Sequence, residues 1–147
     1  MKNPVFVSVS NLILEMQVNT YWLTEVQDHI ALHASQLCTQ KEGFILDVLD
    51  VVVSNVRASP WGYLICTADC KVKHYLPQTG QVVVARVHKI LLNTGVYCIY
   101  LKADLLIPWR EVLAAERVLE ENMMLECRIS QVRYQNGKYR CIASLIK

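Results

Sequence analysis

The sequence predicts an α+β protein in two parts: a small antiparallel sheet with one helix over residues 1–78, then a small β-barrel over 79–147. Two observations lead there. Before Pro77, strand-like alternation is interrupted by a single helical stripe. After Gly80, about five short strand-length runs follow, with one helical turn among them, which is the content of a small closed barrel. Charge divides at the same place. Residues 1–76 hold five Lys/Arg against seven Asp/Glu, and residues 77–147 hold ten against six. A basic half beside a slightly acidic one points to a polyanion met by the second half alone.

In the first part, Val5 to Met16 alternates as a strand. Val5, Val7 and Val9 share one face, and Leu12 and Leu14 continue after a shift near Asn11, so a bend or bulge is expected there. Asn19 or Thr20 can cap the next segment, because their side-chain oxygens accept an orphan helix N–H. Trp22, Val26, Ile30, His33 and Leu37 then form one helical stripe. Glu42-Gly43 restarts the chain as a strand, and Phe44 to Val53 is apolar on both faces apart from Asp47 and Asp50. Such a strand is expected to be covered on both sides. Ala58 to Gly62 reads as a loop holding Trp61. Tyr63 to Leu76 reads as a further strand with Leu64, Cys66, Ala68 and Cys70 on one side.

The second part is organised around Gly80 to Leu101. Val82, Val83, Val84, Val87 and Ile90 supply β-branched residues, and Asn93-Thr94-Gly95 supplies a turn. Val96, Cys98 and Tyr100 alternate with Tyr97, Ile99 and Leu101. Asp104 to Ile107 is a short strand, and Pro108 opens a helical turn, where its missing N–H costs little. Leu125, Cys127, Ile129 and Val132 are expected inward, with Glu126 and Arg128 outward. Asn136-Gly137 is a type I′ hairpin turn. Beyond it Tyr139, Cys141 and Ala143 turn away from Lys138 and Arg140.

Hydrophobic residues make up 53% of the 147 residues and charged ones 19%. Two small domains have little interior for so much apolar surface, so a partner chain is expected to cover part of it. The start of the chain shows no secretory pattern, and no run approaches the ~18 apolar residues of a membrane span. The expectation is an intracellular protein with reduced thiols and no membrane contact. It would lie in the nucleus if eukaryotic, and in the cytoplasm or virion if viral.

The residues carry two resemblances. Gly80-x-Val-Val-x-Ala-Arg-Val, Gly95-Val96-Tyr97, Leu106-Ile107 before Pro108, and Asn136-Gly137-Lys138-Tyr139-Arg140 resemble the strands and last hairpin of an S1-like OB β-barrel. The first part adds, in order, a strand, a helix, the Glu42-Gly43-Phe44-Ile45 strand and the junction Tyr75-Leu76-Pro77-x-x-Gly80-x-Val82-Val83. With Ile129-Ser130-Gln131-Val132 and the ending Ala143 to Lys147, this order resembles the stalk subunit family of multisubunit RNA polymerases. Its members include the seventh subunit of RNA polymerase II and the archaeal counterpart of that subunit. The chain is shorter than cellular members, which fits a divergent or viral version.

The resemblance implies a non-catalytic subunit of a DNA-dependent RNA polymerase. A tip domain would dock on core subunits and on a small helical partner like the fourth subunit of RNA polymerase II. The barrel would contact nascent single-stranded RNA. In S1 domains that bind RNA well, an aromatic often precedes the turn glycine and a His follows the third strand. Thr94 and Pro108 stand at those places, so weak and mainly electrostatic binding is expected. Of the usual contact set, Tyr97 and Lys138 remain. Arg86, Lys89, Lys102, Arg128 and Arg140 add cations, and binding without base preference is expected from stacking and phosphate contacts. Trp22, Val52 and Trp61 are the expected docking residues. A free-standing S1-type protein in translation or RNA decay is the rival reading, and a small enzyme a third.

Chemistry of other kinds finds little support. Cys66-x-x-x-Cys70 resembles half a zinc site, but no second pair follows, and buried thiols are the default. His29 and His33 stand one helical turn apart without the glutamate of the metalloprotease motif. Asp47 and Asp50, three apart in a strand, are expected on opposite faces, unable to share acid–base work. No cofactor is implied.

Overall fold

A computed structural model describes residues 6–18 and 25–146. Its order is β1 (Val7–Val18), α1 (Val26–Ser35), β2 (Cys38–Thr39), β3 (Gly43–Ala58), β4 (Leu64–Tyr75), β5 (Val82–Leu91), β6 (Gly95–Tyr100), β7 (Ala103–Pro108), α2 (Trp109–Ala115), β8 (Met124–Gln135) and β9 (Lys138–Leu145). The first four strands make an antiparallel sheet in the order β1-β4-β3-β2, and the last five close a barrel in the order β5-β6-β7-β9-β8. Two compact units result, Val7–Tyr75 and Leu76 onward with Phe6. This is the α+β arrangement expected, a sheet with a helix followed by a barrel.

In the sheet, β4 is central because both long neighbours pair with it. Its inward positions Cys66, Ala68, Cys70 and Val72 are fully buried and small. They leave room for α1, whose Ile30 and Ala34 are fully buried in the same core. Burying a side chain the size of Ile30 contributes about 1.5–3 kcal/mol. The helical stripe is thus Val26, Ile30, Ala34 and Leu37, and His33 faces solvent, contrary to the sequence reading. Ala34, one turn beyond Ile30, takes the buried position that the sequence reading gives to His33. Trp22 and the capping candidates Asn19 and Thr20 lie outside the described residues.

Three further expectations are corrected. No bulge interrupts β1: its register with β4 runs unbroken from Val7 opposite Tyr75 to Val18 opposite Leu64. The apolar residues simply change face there. Val9 and Ile13 look outward, and Leu12, Leu14 and Val18 look to the helix. The irregularities lie in β3 instead, with register shifts before Asp47, before Asp50 and before Asn55. The extra residue at Leu49 puts Asp47 and Asp50 on one face, opposite Lys73 and Lys71 respectively. Finally, β3 is not covered on both sides within this chain. Ile45 and Val51 are buried under the helix, but Val52 on the other face is 54% exposed.

In the barrel, β7 and β9 pair in parallel through Leu105 opposite Cys141 and Leu106 opposite Ile142. A parallel pair needs a crossover, and α2 with β8 provides it. Pro108 has extended angles and caps α2, so Trp109 rather than proline is the first helical residue. The interior is filled by Val83, Ala85, Val87, Val96, Cys98, Leu105, Ile107, Leu125, Cys127, Ile129, Cys141 and Ala143. A register shift between Ile129 and Gln131 keeps Val132 on the inward phase, as its apolar character predicts. No helix among the described residues is long and apolar enough to cross a membrane.

Candidate nucleic-acid interface

A groove of about 740 Å³ runs over the outer face of β6, β7, β9 and β8. Its floor follows from strand register. Tyr97 lies opposite Leu106, Leu106 opposite Ile142, and Ile142 opposite Gln131. Asp104 and Arg140 each precede their strand's floor residue by two positions, and so share that face. Arg133 lies directly opposite Arg140, and Gln135 opposite Lys138. The groove is therefore aromatic and apolar along Tyr97, Leu106 and Ile142, cationic on β8 and β9 through Arg133, Lys138 and Arg140, and holds one carboxylate, Asp104, on β7.

Local structure fixes these positions. Gly95 starts β6 at φ +147, and a Cβ there would meet the Ile107 carbonyl oxygen at 2.3 Å. Only glycine lets β6 close on β7 at this point, which sets the register that places Tyr97 over Leu106. The preceding turn is held by Trp109, whose Nε1–H donates to the carbonyls of Leu91 (2.9 Å) and Leu92 (2.7 Å). On the other side, Asn136 and Gly137 adopt φ +53 and +74, the positive pair of a type I′ turn. That turn places Lys138 and Arg140 on the groove side. Tyr139, expected to follow Cys141 inward, lies past the barrel end. It is half-buried, packs edge-on against Tyr134 at 4.9 Å between centroids, and lines the groove.

Electrostatically the cationic side is unneutralised. Among the described residues, Arg133, Lys138, Arg140 and Asp104 take part in no ion pair or side-chain hydrogen bond. Like charges directly across a strand pair repel, so the facing Arg133 and Arg140 destabilise the free protein slightly and favour an anion between them.

Of the seven residues expected to contact RNA, the groove gathers Tyr97, Lys138 and Arg140. Lys89 lies opposite Tyr97 on the neighbouring strand, just outside it. The other three are elsewhere. Arg86 donates to Asn122 Oδ1 at 2.9 Å. Lys102 sits in the turn between β6 and β7, and Arg128 pairs with Val82 and Ser144. Sequence reasoning misses Arg133 and Asp104. Arg133 is within its reach, because an inward Val132 puts Arg133 outward.

Of the docking candidates, Trp61 is 82% exposed in the loop between β3 and β4. Val52 stands on the outer sheet face, opposite Asp69, which in turn lies opposite the 73% exposed Ile13.

The thiols are placed for packing. Burial raises the pKa values of Cys66 and Cys70, and pushes Cys98 up to about 11 and Cys127 up to about 12. Among the described residues no three His, Cys, Asp or Glu side chains converge as a metal site would require. The class these observations define is a five-stranded OB-like barrel that follows an antiparallel sheet with a helix. No protein-family model and no curated protein matches the chain.

Proposed function

We propose that the barrel binds single-stranded RNA in this groove, and that the chain is a non-catalytic stalk subunit of a multisubunit DNA-dependent RNA polymerase. The observation that carries the RNA reading is the meeting of Tyr97 with Arg133, Lys138 and Arg140 on one outer face. A stacking aromatic beside unneutralised cations suits a flexible strand, which offers π faces and phosphates in alternation. A duplex fits less well, because its bases are stacked away from such a platform.

The stalk assignment rests on the order of sequence elements and on the exposed apolar residues of the first unit. Val9, Ile13, Val52 and Trp61 all stand in water in the isolated chain. Polymerase core subunits and a small helical partner would cover them, since exposed aromatic and aliphatic groups of this size are favourable anchors. A free-standing RNA-binding protein would not need that surface. In this reading the subunit has no active site of its own and needs no cofactor.

Two measurements test the proposal. Affinity purification of the tagged chain from its native source should bring down the large polymerase subunits. Fluorescence anisotropy with a labelled octauridylate should show salt-sensitive binding. Recovery of the chain free of polymerase subunits overturns the stalk role, and absence of binding at low salt overturns the RNA contact.

A further inference from the structure

Asp104 is the one carboxylate on a groove wall otherwise lined by cations and neutral groups. It lies opposite Ile99 on β6, and Tyr97 lies opposite Leu106. Asp104 and Tyr97 are therefore diagonal neighbours on the same face, about 7–8 Å apart, a separation that long and aromatic side chains span. It has neither an ion-pair nor a hydrogen-bond partner among the described residues. A negative charge at this place opposes a polyanion unless it gains a specific contact in return.

We infer that Asp104 reads the base stacked on Tyr97 and selects guanine. This rests on the RNA reading above and adds a base preference that stacking alone does not give. An ionised carboxylate only accepts hydrogen bonds, through two adjacent oxygens. Among the four RNA bases, guanine alone offers two adjacent donors on its Watson–Crick edge, N1–H and the N2 amino group. Adenine and cytosine each place an acceptor beside their amino group, and uracil flanks its single N–H with two carbonyls. A base whose ring covers Tyr97 and Leu106 turns its edge along β7 toward Asp104. The cations on β8 and β9 then take the adjoining phosphates. Reading by an exposed edge of an unpaired base is how single strands are distinguished in general.

The experiment uses the full chain and a set of labelled octamers: octauridylate, and the same strand with one central guanosine, inosine, adenosine or cytidine. The guanosine strand should bind roughly tenfold tighter than octauridylate, the scale of a bidentate base contact. Inosine, which lacks the N2 amino group, should lose most of that gain. Asp104→Ala should abolish the guanosine preference while tightening octauridylate binding, because a repulsive charge has gone. Asp104→Asn, which offers a single acceptor oxygen, should also lose the preference. Asp104 is exposed, so both variants should keep the wild-type melting temperature.

If the wild-type chain binds all five strands equally, or if Asp104→Ala tightens all of them by one common factor, the inference is overturned. Asp104 is then only a counter-ion, and RNA binding itself stands. If the wild-type chain binds none of them, the RNA reading falls together with the inference.

Discussion

Arg140 of β9 lies directly opposite Arg133 of β8 on the outer face of the barrel, and neither is in an ion pair among the described residues. Stability and binding pull in opposite directions at such a pair. Arg140→Ala should leave the melting temperature unchanged or slightly raised, because like-charge repulsion is relieved. The same substitution should weaken RNA binding and lower the slope of log affinity against log salt by about 1, one phosphate contact being lost. Replacing Lys138 as well should flatten the slope further. A fall in melting temperature with no change in salt slope would contradict this assignment.

Tyr97 acts by stacking rather than charge. Tyr97→Ala should cost about 1–3 kcal/mol of binding at every salt concentration and leave the salt slope as it was. Anisotropy titrations at three ionic strengths separate this from the arginine effect. Parallel lines are expected for Tyr97→Ala and converging lines for Arg140→Ala.

Gly95→Ala should destabilise the barrel, because its Cβ would stand 2.3 Å from the Ile107 carbonyl oxygen. The atoms it would meet are backbone atoms of Ile107 and Pro108, which cannot swing aside as a side chain would, so relief requires opening β6 from β7. A loss of about 1–3 kcal/mol, the usual scale of local backbone strain, should appear in urea unfolding. RNA affinity should fall with it, since Tyr97 and Leu106 lose their register.

The first unit is tested without disturbing its core. Val52→Lys puts a cation opposite Asp69, a favourable cross-strand pair, so folding should be preserved. Together with Trp61→Ala it should reduce recovery of polymerase subunits on affinity purification. RNA binding by the same double variant should be unaltered. Normal recovery of polymerase subunits would show that this face is not the docking surface.

The buried thiols give a pH signature. Cys127 is raised from its ordinary 9.0 to about 12, chiefly by burial. Its protonated form is thus favoured in the folded state. Above pH 9 the unfolded chain releases this proton and the folded chain does not, so stability should fall as pH rises from about 9 toward 12. Below pH 9 this contribution should be constant. Near pH 8 a thiol reagent should spare Cys66, Cys70, Cys98, Cys127 and Cys141 in the native protein and reach the half-buried Cys38 first. Melting temperatures across the pH range and a timed thiol titration check the two statements.

Much of this fold is legible in the sequence because strand alternation writes burial directly. Leu125, Cys127 and Ile129 are expected inward and are buried, and Asn136-Gly137 forms the hairpin its turn chemistry predicts. What escapes reading is register. Asp47 and Asp50 are three apart, and an unbroken strand would separate them. The bulge that reunites them leaves no residue signal, since Leu49 is an ordinary strand former. In the same way, His33 fits a helical stripe by spacing as well as Ala34 does. Which of the two is buried is set by how α1 lies on the sheet, and it is Ala34 that enters the core. In the groove, Tyr97, Lys138 and Arg140 are identifiable from sequence as exposed. That they meet one another, and that Arg133 and Asp104 join them, depends on the parallel pairing of β7 with β9. No local pattern encodes that closure.

The barrel's alternation divides its sequence into two sets of positions with different freedoms. Tyr97 stands between the buried Val96 and Cys98, Asp104 between Ala103 and Leu105, and Arg140 beside Cys141. Each of these three residues is one step from a core residue that cannot change volume without cost. Substitution at positions 97, 104, 138 or 140 alters what the surface meets and leaves the interior volume as it was. Ligand preference can therefore drift through one parity of each strand while the other parity is held by packing. A lineage could exchange one ligand for another here without passing through an unfolded intermediate sequence.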